Sequence, residues 1–261
     1  MATVLITGGT GKLGREVVHH LLLRQHRTRM LIHQTSSIVP VGVEVIVGDL
    51  TSGDGLREVT AGVDAIIHCA SSPRSAAQVD VEGTRSLLQA ASASGSPPIV
   101  YISIVGVDRS AYAYYTAKRA TEVVIEQGPL PWTIVRATQF HGLVLQLIQS
   151  FGADTLPVVP VAGGMRFQSI EVGEVAEQLV LLMEQGPAGY VPDMGGPQIL
   201  TIEEMAEAYL HIRGKKAAVR SELLPGGMFD AFRSGINLVP DHAVGTITWE
   251  AYLQYTYNRS A

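Results

Sequence analysis

The sequence is poor in cysteine, in positive charge and in long hydrophobic runs. Cys69 is the single cysteine among 261 residues, which excludes an internal disulfide and fits a reducing compartment. The formal net charge is −5 and no basic cluster stands out, so we expect no nucleic-acid partner. No apolar run approaches the ~20 residues that a membrane helix needs, and no basic leader precedes the first strand, so neither a membrane segment nor a signal peptide is predicted. We therefore expect a cytoplasmic protein.

Apolar residues are abundant, at 46% of the chain, which suits one compact domain with a small appended lobe. In the first half, short β-branched runs alternate with helix-like stretches, the pattern of βαβ units and of a parallel sheet. The runs predict strands at 3–7, 29–33, 43–47, 65–69, 99–103 and 133–136. The stretches between them predict helices at 13–25, 75–94 and 112–127.

The alternation weakens after residue 140, where turn clusters rich in glycine and proline appear. Helical patterns are still present, and they predict helices at 172–184, 201–213 and 246–257. We therefore predict an α/β protein in two parts. Residues 1–140 form a doubly wound parallel sheet, and residues 141–261 form a mixed C-terminal part that caps it, with segments packing back on the main body.

The last predicted helix is rich in aromatic residues. Trp249, Tyr252 and Leu253 are spaced to share one face of it. We expect this face to pack within the C-terminal part, and a homodimer contact is the alternative.

Three glycines follow the first predicted strand and open the first predicted helix. Gly8 would permit a tight turn, Gly11 would let the backbone approach a pyrophosphate, and Gly14 would let the helix pack closely on the sheet. The start of the helix would offer free N–H groups to phosphates. The loop therefore predicts dinucleotide binding, and the alternative is a tight turn without a ligand.

Six motifs occur in an order that resembles one family: "TGGTGKLG", "VIVGDLTS", "AIIHCASSP", "VEGTRSLLQAA", "YYTAKRATE" and "PWTIVRATQFHG". They resemble the atypical short-chain dehydrogenase/reductases of the NmrA-like, NAD(P)H-binding group. The later stretch "GGPQILTIEEMAEAY" is similar to the C-terminal part of that group. The resemblance implies a Rossmann-like fold with a small substrate cap and a nicotinamide cofactor. The group includes quinone, dye and carbonyl reductases as well as non-catalytic redox sensors.

The predicted cofactor-binding residues lie in the glycine loop and after the strand ends. They are Gly8, Thr10, Gly11, Lys12, Leu13, Gly14, His33, Asp49, Leu50, Cys69, Ala70, Ser71, Lys118, Ala137, Thr138 and Phe140. Several have ordinary alternatives, because Asp49 suits a helix cap, Phe140 suits a core position, and Cys69 suits a small buried apolar site rather than a reactive thiol.

The second strand predicts which nicotinamide cofactor is bound. An acidic residue at its end would hold a ribose 2′-hydroxyl and repel a 2′-phosphate, and residues 28–37 contain no Asp or Glu. His33 and Lys12 add positive charge, so we favour NADP(H) over NAD(H). In the family that the sequence resembles, NADP-binding members often carry Arg where this chain has His33. The alternatives are that Lys12 is a solvated surface lysine and that His33 is a polar strand end.

Tyr114 and Lys118 are four residues apart, so on a helix they share one face. A phenol with a pKa of ~10 is a poor acid, and a neighbouring ammonium lowers that pKa. Ser103 ends the fifth strand and could orient a carbonyl oxygen. These three are the predicted catalytic residues, following the resemblance. Tyr115 and Tyr112 compete with Tyr114, for which a half-buried structural tyrosine is the alternative. Many relatives place Asn where this chain has Asp80, so a proton relay that depends on Asn is altered.

The predicted substrate residues are Gln139, Phe140, His141 and Gln168, although a lone histidine near a strand end is more often structural. No metal site is expected, since no set of three suitably spaced ligands is apparent. The predicted function is an NADP(H)-dependent oxidoreductase that transfers a hydride to a quinone or carbonyl group of a hydrophobic small molecule. The alternatives are a non-catalytic redox sensor and a biosynthetic tailoring enzyme on the same scaffold.

Overall fold

The computed structural model of the chain describes residues 1–33 and 39–258. The chain divides into two compact units. The first unit consists of Met1–Ser103, Ala113–Val135 and Gly173–Pro192. The second unit consists of Ile104–Tyr112, Arg136–Val172 and Asp193–Ala261.

A seven-stranded sheet contains strands from the N-terminal half of the chain and one short later strand. Its strands are β1 (Thr3–Thr7), β2 (Arg27–Ile32), β3 (Val43–Val47), β4 (Ala65–His68), β5 (Ile99–Ile104), β6 (Trp132–Ala137) and β9 (Gly189–Tyr190). They are ordered β3-β2-β1-β4-β5-β6-β9, and the described pairings are parallel. The chain moves outward from β1 to β3 and then crosses to β4, so the strand order reverses between β1 and β4. Open α/β sheets bind ligands at such a reversal, beyond the carboxyl ends of the strands.

The six predicted strands are confirmed, with bounds that differ by at most two residues. Their interior residues are apolar along the run because a parallel sheet is covered by helices. Leu5, Ile66, Ile99 and Ile134 belong to one buried cluster that also includes helix residues such as Leu87. The prediction of an α/β fold with a doubly wound parallel sheet is confirmed.

The helices are α1 (Lys12–Leu23), α2 (Leu56–Thr60), α3 (Gly83–Ala93), α4 (Ala113–Glu126), α5 (His141–Ser150), α6 (Val172–Gln185), α7 (Ile202–Ile212), α8 (Gly227–Ser234) and α9 (Trp249–Asn258). A π-helical turn, Ala77–Glu82, precedes α3, and a short 3₁₀ turn covers Pro240–His242. The single helix predicted at 75–94 is therefore wrong in its first part. Thr84 donates its hydroxyl to the carbonyl oxygen of Asp80 in this wider turn, a local side-chain bond that competes with regular helix geometry.

The second unit contains two small sheets that the sequence patterns did not predict. Strand β7 (Val158–Ala162) pairs in parallel with β11 (Ala218–Glu222), and β8 (Arg166–Phe167) pairs antiparallel with β10 (Leu200–Thr201). Helix α5 was also missed, since its pattern is apolar on most sides rather than one-sided.

Helix α9 begins three residues later than predicted, because the Thr248 side chain accepts the Ala251 N–H and caps its first turn. Trp249 and Leu253 are buried on one face, and Trp249 Nε1 donates to the Met205 carbonyl at 3.0 Å. The prediction of packing within the C-terminal part is confirmed for this face. Across residues 1–33 and 39–258, no helix has the length and apolar character needed to cross a membrane.

Candidate functional site

The glycine loop between β1 and α1 has no room for side chains. Gly8 has a φ of +71°, and a Cβ there would lie 2.6 Å from the Ala70 nitrogen. A Cβ at Gly14 would lie 2.2 Å from the Gly8 carbonyl oxygen. Gly11 is the N-cap of α1 and provides no side-chain cap, so the first N–H groups of the helix remain available to an anion. The loop geometry therefore fits a dinucleotide.

A cleft of about 430 Å³ opens beside this loop, within the first unit. Nine of the predicted cofactor-binding residues line it: Gly8, Thr10, Gly11, His33, Asp49, Leu50, Cys69, Ala70 and Ser71. The prediction missed six further lining residues: Thr7, Leu31, Ile32, Gly48, Thr51 and Val79. Most of these lie at the carboxyl ends of β1, β2 and β3, and a rule that took whole strand ends would have found them.

The rest of the predicted cofactor set lies elsewhere. Leu13 and Gly14 are buried behind the loop, and Lys12 is exposed. Lys118 lies in α4, and Ala137, Thr138 and Phe140 belong to the second unit. Their contact with a cofactor stays a prediction.

One end of the cleft carries an ion pair between His33 and Asp49. His33 Nδ1 lies 3.1 Å from Asp49 Oδ2, and the His33 side chain is 71% exposed. Asp49 Oδ1 accepts the hydroxyl and N–H of Thr51, and these hydrogen bonds, the hydroxyl first, hold the pKa of the Asp49 carboxyl below its ordinary value. The helix-cap alternative for Asp49 is wrong, since α2 has Gly55 at its N-cap. This end therefore carries both an imidazole and a carboxylate. The last part of the acid-free stretch 28–37, from residue 34 onward, lies outside the described residues.

Tyr114 contacts the cleft through Ser71. Its hydroxyl oxygen lies 2.9 Å from Ser71 Oγ, which in turn donates to Asp80 Oδ1 at 2.6 Å. Tyr114 is partly exposed at the start of α4, whereas Tyr115 is only 3% exposed. The arrangement favours Tyr114 over Tyr115 as the tyrosine that can meet a ligand.

Lys118 lies inside the protein rather than on the surface of α4. Its side chain is 3% exposed, and Nζ donates to the Ile102 carbonyl at 2.9 Å and stands 4.3 Å from the centre of the Tyr101 ring. Asp80 Oδ1 is 3.9 Å from Nζ. Burial lowers the pKa of Lys118 to about 8, although the Asp80 carboxylate opposes this shift. Tyr114 and Lys118 are thus connected in the structure through Ser71 and Asp80.

Ser103, the third predicted catalytic residue, lies near the carboxyl end of β5. It is 2% exposed, and within residues 1–33 and 39–258 its hydroxyl oxygen has no hydrogen-bond partner. A buried hydroxyl without a partner is costly unless a ligand or water satisfies it. Its predicted contact with a substrate oxygen stays a prediction.

A buried histidine, His68, forms hydrogen bonds to the strand before the glycine loop and to the helix after the π-helical turn. His68, at the end of β4, contacts Thr7 Oγ1 through Nδ1 at 2.6 Å and Thr84 Oγ1 through Nε2 at 2.8 Å. Thr84 donates its proton to the Asp80 carbonyl, so Nε2 must carry the histidine proton and Nδ1 must accept from Thr7. Burial lowers the pKa of His68 to about 3, and the nearby Lys118 ammonium adds to the shift. The neutral ring therefore joins β1 to α3. No pattern in the sequence indicated a role for His68.

Cys69 follows His68 and lines the cleft. Burial raises the pKa of its thiol to about 12. A thiol that stays protonated is a weak nucleophile, which agrees with the prediction of a small, unreactive side chain.

The predicted substrate residues of the second unit are held by buried hydrogen bonds. Gln168 donates to the Gly196 and Val239 carbonyls and accepts the Val239 N–H at 2.8 Å. Gln139 accepts from the side chain of Asn237 at 3.0 Å. Asn237 is fully buried and lies 98 residues away, so no sequence pattern indicated it.

His141 is also buried, at 1% exposure, and both ring nitrogens have partners. Nε2 lies 3.0 Å from the Ile247 carbonyl oxygen, and Nδ1 lies 2.8 Å from Ser169 Oγ. The ring stacks on Tyr252, with centroids 5.1 Å apart. These contacts fit the structural alternative for His141, while the substrate contacts of Gln139, Phe140, His141 and Gln168 stay predictions.

Comparisons with known proteins place this geometry among nucleotide-binding proteins. A family model described as NAD(P)H-binding matches residues 8–142. The chain is 28% identical over 167 residues to the photosystem II assembly factor Ycf39 of Trieres chinensis, covering 61% of this chain and 51% of that protein. It is 30% identical over 202 residues to the ceramide reductase of Caulobacter vibrioides, covering 72% of this chain and 63% of that protein. The chain spans about half the length of the assembly factors that it matches.

One solved structure is similar across nearly the whole chain. The NADPH-dependent quinone oxidoreductase QOR2 of Escherichia coli, crystallised with NADPH, superposes with a TM-score of 0.80 at 18% identity. The match covers 98% of this chain and 100% of that one. At this identity the similarity establishes a shared fold.

Proposed function

We propose, from the premise that this chain belongs to the NAD(P)H-binding family, that it is an NADP(H)-dependent reductase of a quinone or carbonyl group on a hydrophobic small molecule. The observation that carries the proposal is the position of Ser71. It lines the cleft beside the glycine loop and also contacts the Tyr114 hydroxyl. A group that can supply a proton therefore stands next to the place where a dinucleotide fits.

The residues of the cleft suit a nicotinamide dinucleotide. Gly8, Gly11 and the first N–H groups of α1 would hold the pyrophosphate, and the small residues Ala70 and Ser71 leave space for a ribose. When bound, the nicotinamide supplies a hydride. The protein supplies the orientation and the proton.

Tyr114 is the proposed proton donor to the oxygen of the carbonyl or quinone group that is reduced. Proton donation by a positioned side chain contributes typically 10²- to 10⁴-fold to such reactions. Lys118, with its pKa lowered to about 8 by burial, lies further along the same set of contacts. Ser103 is the proposed partner for the substrate oxygen, since its buried hydroxyl has bonding capacity to offer.

The proposed preference for NADP(H) rests on charge at the open end of the cleft. His33 is exposed there and would attract a 2′-phosphate, whereas the Asp49 carboxylate 3.1 Å away would repel it. We therefore propose a modest preference for NADPH over NADH, of roughly tenfold or less by analogy with exposed charge pairs.

A second candidate is a dinucleotide-binding regulator that acts through a protein partner without turnover. The similarity to photosystem II assembly factors supports it. The Tyr114–Ser71–Asp80 contacts favour the reductase instead, because a regulator has no need for a proton donor beside its cofactor.

The test is a fluorescence titration with NADPH and NADH, followed by addition of a panel of quinones, aldehydes and ketones to the same samples. We expect binding of both nucleotides, tighter binding of NADPH, and oxidation of NADPH that depends on a panel member. Tight binding with no turnover across a broad panel would count against the reductase and favour the regulator.

A further inference from the structure

Asp80 is a carboxylate with no exposed surface, and its side-chain partners come from one loop and one lysine. Oδ1 accepts the Ser71 hydroxyl at 2.6 Å, and Oδ2 accepts the Ser72 N–H at 2.9 Å. Lys118 Nζ lies 3.9 Å from Oδ1 and offsets the negative charge. A buried charge with this many partners is held in one position.

The direction of each hydrogen bond follows from the number of protons available. An ionised carboxylate can only accept, so the single hydroxyl proton of Ser71 points to Asp80. Ser71 Oγ then has only lone pairs to offer, so the Tyr114 hydroxyl, 2.9 Å away, is the donor. The protons of Tyr114 and Ser71 are thus aligned in one direction, toward Asp80.

The backbone of Asp80 is fixed independently of its side chain. It lies in the π-helical turn Ala77–Glu82, a rare geometry that occurs frequently at functional sites. The Thr84 hydroxyl donates to its carbonyl oxygen, and Thr84 is held in turn by the neutral His68 ring. Asp80 is therefore a rigid end point for the aligned protons.

We propose that Ser71 and Asp80 form a proton relay that serves Tyr114, with Asp80 as the group that stores the proton. The proposal rests on the proposed reductase function. Ser71 and Asp80 act through Tyr114, so they are positioning residues rather than catalytic ones. The carboxylate of Asp80 makes the relay possible, because it can both accept and release a proton.

The proton transfers balance in both directions of the reaction. In alcohol oxidation, a bound nicotinamide would accept the hydride from the alcohol carbon, and the alcohol oxygen gives its proton to the Tyr114 oxygen. Tyr114 passes its own proton to Ser71, and Ser71 passes its own to the Asp80 carboxylate. In carbonyl reduction, the same O–H bonds form and break in reverse, starting from protonated Asp80.

A first measurement tests the relay without any turnover. The sequence has four lysines, Lys12, Lys118, Lys215 and Lys216, so NMR of lysine-labelled protein can follow the titration of Lys118, assigned with Lys118→Arg. Asp80 raises the pKa of Lys118 against the effect of burial. We expect Asp80→Asn to lower it by about one unit or more, and Ser71→Ala to leave it unchanged. An unchanged Lys118 pKa in Asp80→Asn overturns the relay, because Asp80 would then not be the ionised acceptor.

A second measurement uses the panel substrate that the wild-type protein turns over best. We expect Ser71→Ala and Asp80→Asn to lower kcat by roughly 10- to 100-fold. The NADPH affinity of Asp80→Asn, whose side chain is not in the described lining of the cleft, should stay within about twofold of wild type. Ser71→Thr keeps the hydroxyl and should restore most of the rate. The solvent isotope effect on turnover, measured in mixtures of H₂O and D₂O, reports how many protons move in the rate-limiting step. We expect several such protons for wild type and fewer for Ser71→Ala. Lost packing alone would not change this number.

The matched control is Ser86→Ala in α3. It removes a serine hydroxyl that donates to the carbonyl oxygen of Glu82, the last residue of the π-helical turn. If wild type turns over and both relay variants match it, the relay is overturned and the reductase stands. If wild type binds NADPH without turnover, the reductase fails and the relay fails with it. Because Ser71 is exposed, Ser71→Ala keeps the test decisive even if Asp80→Asn does not fold.

Discussion

Buried polar side chains occur in both compact units, but they differ in charge. The first unit buries Asp80, Lys118 and Glu122. In the part of the second unit that the structure describes, the buried polar residues are amides, hydroxyls and an imidazole: Thr138, Gln139, His141, Gln168, Ser169 and Asn237. Taking a charge out of water costs far more than burying a hydrogen-bonded neutral group.

The difference in buried charge between the two units indicates where catalysis is expected. Neutral networks such as Gln168 with the backbone of Val239 and Gly196 satisfy polar groups and specify one packing. Buried charges contribute little net stability, so the pair of Asp80 and Lys118, which is connected to the cleft through Ser71, suggests a function. The comparison therefore predicts that changes in the first unit affect binding and turnover, whereas changes in the polar network of the second unit affect stability.

The largest effect is expected from Tyr114→Phe. Without the proton donor, kcat for the panel substrate should fall by ~100-fold or more, while NADPH affinity stays unchanged, because the phenol oxygen is not needed to hold the nucleotide. Tyr255→Phe, at a tyrosine that is 61% exposed in α9, is the control. Full turnover by Tyr114→Phe would remove the proposed link between buried charge and catalysis.

The second-largest effect is expected from a change in the glycine loop between β1 and α1. In Gly14→Ala, the new Cβ would lie 2.2 Å from the Gly8 carbonyl oxygen, so the loop or helix must shift, at a cost of roughly 1–3 kcal/mol. We expect NADPH affinity, measured by fluorescence titration, to fall by about tenfold, the effect of ~1.4 kcal/mol on binding. Gly173→Ala is the control, since nothing described lies within 4 Å of its Cβ. Equal affinity of the two variants would show that the loop is not the binding element.

For the neutral network of the second unit, the informative change is His141→Phe. It keeps an aromatic ring for Tyr252 but leaves Ser169 and the Ile247 carbonyl without their partner. The free energy of unfolding should fall by about 1–3 kcal/mol, with NADPH affinity unchanged. Urea denaturation measures this, and His211→Phe on the exposed end of α7 is the control. A loss of turnover at unchanged stability would instead support the predicted substrate contact.

The smallest effect is a pH dependence from His68. Its pKa is about 3 in the folded protein, below the ordinary value of 6.5, because of burial. Between these two values the unfolded chain binds one more proton than the folded chain, so stability is present above pH 6.5 and is lost as pH falls toward 3. From pH 6 to pH 5, wild type should lose about 1 kcal/mol more than His68→Gln. Identical losses in the two proteins would show that His68 is not buried in its neutral form.

The local features of this protein could be predicted from its amino-acid sequence. The strand bounds of β1 and β3 agree with the predicted ones, because β-branched runs limit the backbone wherever they occur. The glycine loop was equally predictable, since the absence of a Cβ at Gly8 and Gly14 matters within a few residues of the chain. The face of α9 formed by Trp249 and Leu253 followed from helical periodicity.

The contacts between distant polar groups depend on the tertiary fold and could not be predicted. The spacing of Tyr114 and Lys118 indicates a shared helix face, yet the lysine is held inside by Ile102 and Asp80, and Ser71 stands at the tyrosine. His141 meets Ile247 across 106 residues of sequence. Such pairings depend on how distant segments pack and on which donors remain unsatisfied once they do. Periodicity and spacing describe single elements and contain no information about those encounters.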